Sequence, residues 1–148
     1  MKSINSDIAS ELLMIMDEQR VAVLTTMGKQ FPYSCLVSFD VSRDIDYLFF
    51  ATKRKRQKFE NIMKDPRVAL VIDDRDNTDF SLHGTNVISL SGIAEDYQGE
   101  DLQLLLQSLE KKHPYLKDFL KSEDTSLIRV MIDTIYLVDN FERVRRFE

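Results

Sequence analysis

Residues 47–70 read YLFFATKRKRQKFENIMKDPRVAL, and an apolar run ending at Thr52 is followed at once by Lys53, Arg54, Lys55, Arg56 and Lys58, with only Gln57 neutral between them. So many cations in so few residues have the chemistry of an anion site, because each can give charge-assisted hydrogen bonds to phosphate or carboxylate oxygens. Phe59, Ile62 and Met63 recur at helical spacing, which predicts a short helix over residues 56–63 and puts the cations at its start. A helix N-terminus already carries partial positive charge, so each cation there costs a few tenths up to about 1 kcal/mol. A phosphate would turn that cost into a gain by collecting both the unpaired backbone N–H groups and the side-chain charges. Each charged hydrogen bond contributes about 1.5–3 kcal/mol. The alternatives are a solvated turn, as most charge runs are, or a localisation-type basic patch, and residue types alone leave these open. No Walker motif, GxGxxG or other Gly-rich phosphate loop competes with this run.

Other chemistry-bearing residues are sparse. Cys35 stands in an apolar run, where a free cysteine acts either as a redox thiol or, more commonly, as a packed small hydrophobe. His83 and His113 lack metal-ligand spacing, so no metal is expected. Asp73, Asp74, Asp76 and Asp79 form an acidic loop without the glycine and terminal glutamate of a calcium-binding loop, which reads as solvated.

The elements that must position the basic run follow from periodicity and turn signals. Ile4, Ile8, Leu12, Leu13 and Met16 predict a first helix behind Ser3, Asn5 and Ser6 as caps. Strands are predicted over 21–26, 32–40 and 45–52, joined by short turns into an antiparallel meander. Asp65-Pro66 ends the short helix, since a residue before proline avoids the helical region. Further strands are expected over 67–73, 86–97 with a bulge at Gly92, 126–139 and 141–148. Residues 99–120 read as helical, broken or restarted at Pro114, with Leu102, Leu105, Leu106 and Leu109 as an apolar stripe. Six or seven short sequential strands with flanking helices predict a mainly β, antiparallel barrel or sandwich.

The totals bound the partners. The 148 residues suit one domain spanning 1–148. A net charge of −5 argues against a nucleic-acid partner and makes any anion site local. The single cysteine implies a reducing compartment, and the N-terminal apolar stretch is too short for a signal peptide or a span. The expectation is a cytoplasmic protein with no membrane partner.

The order helix, strand, strand beginning PYS, aromatic strand ending in Thr52, basic turn, short helix and DPRV strand resembles the pyridoxamine 5′-phosphate oxidase-like superfamily, the FMN-binding split barrels. The likeness is strongest over residues 49–72, where Thr52, Lys58, Asn61 and Asp65-Pro66-Arg67-Val68 match the family pattern. Arg56 stands where that pattern has Ser, and Gln57 where the oxidases proper have Arg. The resemblance implies a six- to seven-stranded antiparallel split barrel that binds FMN between the two subunits of a homodimer. It implies that Thr52, Arg56, Gln57 and Lys58, with added charge from Lys55, hold the phosphate. It places Ser34, Cys35, Leu36 and Val37 along the ring and ribityl chain, and Ala51 beside the ring through its backbone. Asn86 by position, and Arg143, Arg145 and Arg146 from a partner subunit, are further flavin contacts it suggests, the arginines reading equally as edge-strand charges. The C-terminal Arg-x-His-type substrate motif of the true oxidases is absent. The implied function is therefore an FMN-dependent oxidoreductase acting on a small-molecule substrate or electron donor. The alternative is a non-catalytic flavin or haem binding module on the same fold.

Overall fold

In the computed structural model, which describes residues 1, 3–76, 84–140 and 142–148, the chain runs α1 (Ser6–Glu18), β1 (Val21–Met27), β2 (Pro32–Val41), β3 (Tyr47–Lys53), α2 (Gln57–Lys64), β4 (Arg67–Asp73), β5 (Val87–Asp96), α3 (Leu102–Lys112), α4 (Lys117–Lys121), β6 (Thr125–Asp139) and β7 (Arg143–Phe147). Every strand pairing is antiparallel in the order β3-β2-β1-β4-β5-β6-β7, and a further β3–β6 pairing closes six strands into a barrel with β7 outside it. The expected mainly β split barrel with flanking helices is what the chain forms.

Alternation decides which residues fill the barrel. In β1, Ala22, Leu24 and Thr26 point inward, and in β4 Val68, Leu70 and Ile72 do the same. Strand β3 is different: Leu48 and Phe50 enter the barrel core, while Phe49 turns outward into a second cluster with Leu105 and Leu109 of α3 and Leu127 of β6. Burial on both faces explains its unbroken aromatic run. Each such side chain contributes about 1.5–3 kcal/mol. Helix α1, capped by the Asn5 side chain accepting from the Ile8 N–H at 3.0 Å, packs Leu12, Ile15 and Met16 against the barrel core.

Several local expectations shift. Ile45 does not begin β3; it sits in the preceding turn at φ 59, wholly buried. A β-branched residue in the left-handed region is strained, and core burial of its side chain offsets that strain. The stretch read as helical over 99–120 is three pieces, because α3 ends at Lys112 and Pro114 opens a 3₁₀ turn, Pro114–Leu116, before α4. In α2 the buried positions are Asn61 and Ile62, whereas Met63 is exposed. Asp79 and His83 lie outside the described residues. Among the described residues, no helix is long and apolar enough to cross a membrane, and no group of three His, Cys, Asp or Glu side chains is placed to hold a metal.

Strand β6 joins the barrel to β7. One of its edges pairs with β3 over residues 125–131 and then with β7 over 135–139. Between these stretches its other edge slips register against β5, with Ser91 opposite Thr134 but Gly92 opposite Ile132. The extra residue is Asp133, so the bulge expected at Gly92 forms on the opposing strand. Gly92 is required there, because a Cβ would lie 2.2 Å from the Met131 carbonyl oxygen. Gly92→Ala is expected to destabilise the protein by about 2–3 kcal/mol, read as a lower urea midpoint. An unchanged midpoint would contradict this packing.

Candidate functional site

Strands β2 and β3 pair over only three positions, Phe39↔Phe50, Asp40↔Phe49 and Val41↔Leu48. Beyond Phe39 and Phe50 they part. β2 continues along β1 through Met27↔Pro32, and β3 continues along β6 through Lys53↔Thr125. The gap between them is a cleft of about 300 Å³. Its two walls are strand edges that no longer bond each other, so backbone N–H and C=O groups face the space along with side chains.

The β3 wall is held in place by the first part of the basic run. Lys53 Nζ lies 2.8 Å from Asp124 Oδ1 and 5.0 Å from the centre of the Phe119 ring. Arg54 Nε donates to the buried Ser126 Oγ at 2.8 Å, and its Nη1 donates to the Glu123 carbonyl at 3.0 Å. These two cations are thus structural: they fasten the exit of β3 to the entrance of β6. The chain then turns, with the Arg56 N–H donating to the Lys53 carbonyl at 3.1 Å, and α2 begins. Its N-cap is Arg56, whose side chain makes no capping hydrogen bond. The first-turn N–H groups therefore lack a side-chain acceptor at the end of the helix that attracts anions. Lys55, Arg56 and Lys58 form no ion pair among the described residues.

Seven of the ten residues expected at the site line this one cleft: Leu36 and Val37 from β2, Ala51 and Thr52 from β3, and Arg56, Gln57 and Lys58 at the start of α2. Thr52 is buried, and its hydroxyl donates to the Lys53 carbonyl at 3.3 Å. Lys55 stands just outside the lining, exposed. Ser34 and Cys35 are not brought to it. The Ser34 hydroxyl pairs with that of Thr25 at 2.8 Å, and Cys35 packs against the barrel core. Burial pushes the Cys35 thiol upward, with Lys58 pulling the other way, so it sits as a neutral hydrophobe. Asn86 is engaged elsewhere, donating to Asp74 Oδ2 at 2.8 Å. Arg145 bridges Glu11 of α1 and Asp139 of β6, at 2.6 and 2.8 Å. Arg146 pairs with Glu148. These arginines belong to the seam between β7 and its neighbours and do not line this subunit's cleft.

Sequence reasoning missed part of the lining. Tyr33 and Ser38 come from β2, and Leu116 and Phe119 from the segment after Pro114. That segment is strapped down beside β2. Tyr115 Oη and Ser38 Oγ are 2.5 Å apart, and Thr125 Oγ1 donates to the Phe119 carbonyl at 2.8 Å. His113 Nε2 donates to the Phe39 carbonyl at 2.8 Å, at the last β2–β3 pair before the strands part. Wholly buried, His113 has its pKa pushed below the ordinary histidine value by desolvation, with the bond to the Phe39 carbonyl pulling the other way. No periodicity marks Leu116 or Phe119 as cleft residues; only the break at Pro114 hints that the chain redirects there.

The model of the family described as pyridoxamine 5′-phosphate oxidase matches residues 8–139. No curated protein matches the chain significantly in sequence. A haem-binding protein from Mycobacterium smegmatis superposes with a TM-score of 0.84 at 17% identity, over 97% of this chain, which spans 59% of that protein's length. The haem storage protein HutZ from Vibrio cholerae gives 0.71 at 15% identity, covering 84% of this chain and 89% of its own. General Stress Protein 26 from Bacillus anthracis gives 0.69 at 24% identity, covering 95% and 98% respectively. At these identities the likeness is one of fold.

The Lys53–Asp124 bond has a pH signature. Asp124 titrates at about 2, below its ordinary 3.8, chiefly because of the hydrogen bond from Lys53 and secondarily that from Ser122. Its contribution to stability is therefore complete above the ordinary carboxylate value and is lost as pH falls from there through the folded-state value. NMR titration of the Asp124 carboxyl is expected to give a midpoint of about 2, moving toward 3.8 in Lys53→Met. An ordinary midpoint in the unmodified protein would show that the clamp does not hold in solution.

Proposed function

The chain belongs to the pyridoxamine 5′-phosphate oxidase family, and from that premise we propose that it binds flavin mononucleotide in the β2–β3 cleft and works as an oxidoreductase on a small-molecule substrate or electron donor. The observation that carries this reading is the pairing of an uncapped α2 N-terminus with three cations, Lys55, Arg56 and Lys58, that have no anionic partner among the described residues. A phosphate ester supplies what both lack, and the residues present fit the group. Bound there, the flavin supplies hydride or single-electron transfer. The chain's own work is binding and orientation. Arg56, Lys58 and the first-turn N–H groups of α2 hold the phosphate. Leu36, Val37 and Ala51 offer an apolar surface edged with backbone donors and acceptors for the ring. Leu116 and Phe119 exclude water from the remaining side.

Part of that surface is open in one subunit. Leu36 at 68% exposure and Phe31 at 77% are large apolar side chains left in water on β2 and just before it. A second copy of the chain would cover them, and the homodimer is part of the proposal, with the flavin at the subunit interface.

The fold likeness to haem-binding proteins favours a second reading, haem in the same cleft with its propionates on the basic end. Among the described residues no histidine lines the cleft, which weighs toward the flavin.

Absorption spectroscopy of the purified protein separates the two. Flavin bands, bleached by dithionite and restored by air, are expected; a Soret band supports haem. Lys58→Ala is expected to weaken flavin mononucleotide binding by about 1.5–3 kcal/mol, one charged hydrogen bond. A protein that neither carries nor takes up the nucleotide overturns the flavin reading.

A further inference from the structure

We infer that Asn61 is a positioning residue for the phosphate end of the cleft, acting through Gln57 and backed by Thr26; the inference rests on the flavin reading above. Asn61 is 4% exposed on a helix face where the sequence pattern calls for an apolar residue, beside Ile62. A carboxamide in such a place must find partners for both its ends. Its Oδ1 accepts from Gln57 Nε2 at 2.7 Å, and its Nδ2 donates to Thr26 Oγ1 at 3.0 Å. Thr26, wholly buried in β1, donates in turn to the Tyr33 carbonyl at 3.4 Å. Donors and acceptors follow one another in a single direction along this chain, an arrangement in which each bond polarises the next.

The two ends of the chain give it meaning. Gln57 and Tyr33 both line the cleft, Gln57 as the first residue of α2 and Tyr33 on the opposing β2 wall. An apolar side chain at position 61 would pack α2 on β1 without any desolvation cost, so packing alone does not call for asparagine. Gln57 itself is exposed, and an untethered glutamine there would sample several rotamers. The bond to Asn61 settles the amide in one of them before any ligand arrives. One Nε2–H is consumed by Asn61, and the second is left for a phosphate oxygen seated at the α2 N-terminus. The same contacts tie α2 to the β1–β2 hairpin, so the position of the helix end and of the amide are set together. The ordering entropy is then spent in folding and not in binding.

The test is a set of titrations of the full chain with flavin mononucleotide and with riboflavin, which lacks the phosphate. The variants are Gln57→Ala, Asn61→Leu, Thr26→Val and the double variant Gln57→Ala with Asn61→Leu. Gln57→Ala, which removes a hydrogen bond to a charged phosphate, is expected to weaken nucleotide binding roughly tenfold or more, and Asn61→Leu and Thr26→Val, which only loosen Gln57, roughly two- to tenfold, all three leaving riboflavin binding unchanged. The double variant is expected to bind no worse than Gln57→Ala, because Asn61 acts only through Gln57. Thr26→Val keeps the shape of a buried strand residue and decides the matter if Asn61→Leu does not fold. Wild-type affinity in Asn61→Leu or Thr26→Val, equal losses for both ligands, or additive losses in the double variant overturn the inference while leaving the flavin reading intact. A wild-type protein that binds no flavin mononucleotide removes the reading and this inference together.

Discussion

The parting of β2 from β3 after Phe39 and Phe50 is the constraint from which the rest of the site follows. A barrel strand normally spends both backbone edges on its neighbours. Here each of the two strands keeps one neighbour and gives up the other, and the freed edges become the walls of a cleft. Two clamps keep the walls apart at a set distance. On the β3 side, Lys53 and Arg54 are fastened to Asp124, Glu123 and Ser126. On the β2 side, His113 and Tyr115 are bonded to Phe39 and Ser38. Charge therefore has two separate uses in one short run. The first cations build the wall, and the later ones are left facing whatever the wall encloses.

This division explains how an acidic protein keeps a cationic pocket. Lys53 is neutralised by a specific carboxylate, which lowers the local repulsion that a stretch of like charges would otherwise impose. Arg56 and Lys58 remain at the helix end without an anionic partner among the described residues. The net charge of −5 resides elsewhere and does not discharge them, because screening in physiological salt confines such effects to about 8 Å.

The elements were largely legible because burial leaves a periodic trace. The compact apolar, β-branched runs of β1 and β4, the aromatic run of β3 and the stop at Asp65-Pro66 are written in residue type, whereas the alternation of burial along β1 and β4 is not. Of the cleft, residue type marked the basic start of α2, and the family resemblance supplied Leu36, Val37, Ala51 and Thr52. It was illegible where tertiary geometry decides. Cys35 alternates with Leu36 along β2, and only the pairing of Cys35 with Leu24 of β1 sends its thiol toward the core. Leu116 and Phe119 reach the cleft because Pro114 redirects the chain, and a propensity argument sees the break without its direction. Asn61 went unread as a buried residue because helical spacing pointed to Met63, whereas the packing of α2 on β1 turns Met63 to water.

The clamp on β3 also bears on how the chain reaches its native state. Lys53 and Asp124 are 71 residues apart in sequence, and every β3–β6 pair spans a comparable separation. Long-range pairings of this kind raise contact order and slow folding, because the loop entropy is spent before the ladder repays it. The β1–β2–β3 meander is joined by short turns, and without β6 the apolar β3 would have one edge unpaired. An unpaired apolar edge of that kind is a template for other chains, so the β3–β6 ladder guards against aggregation as well as closing the barrel.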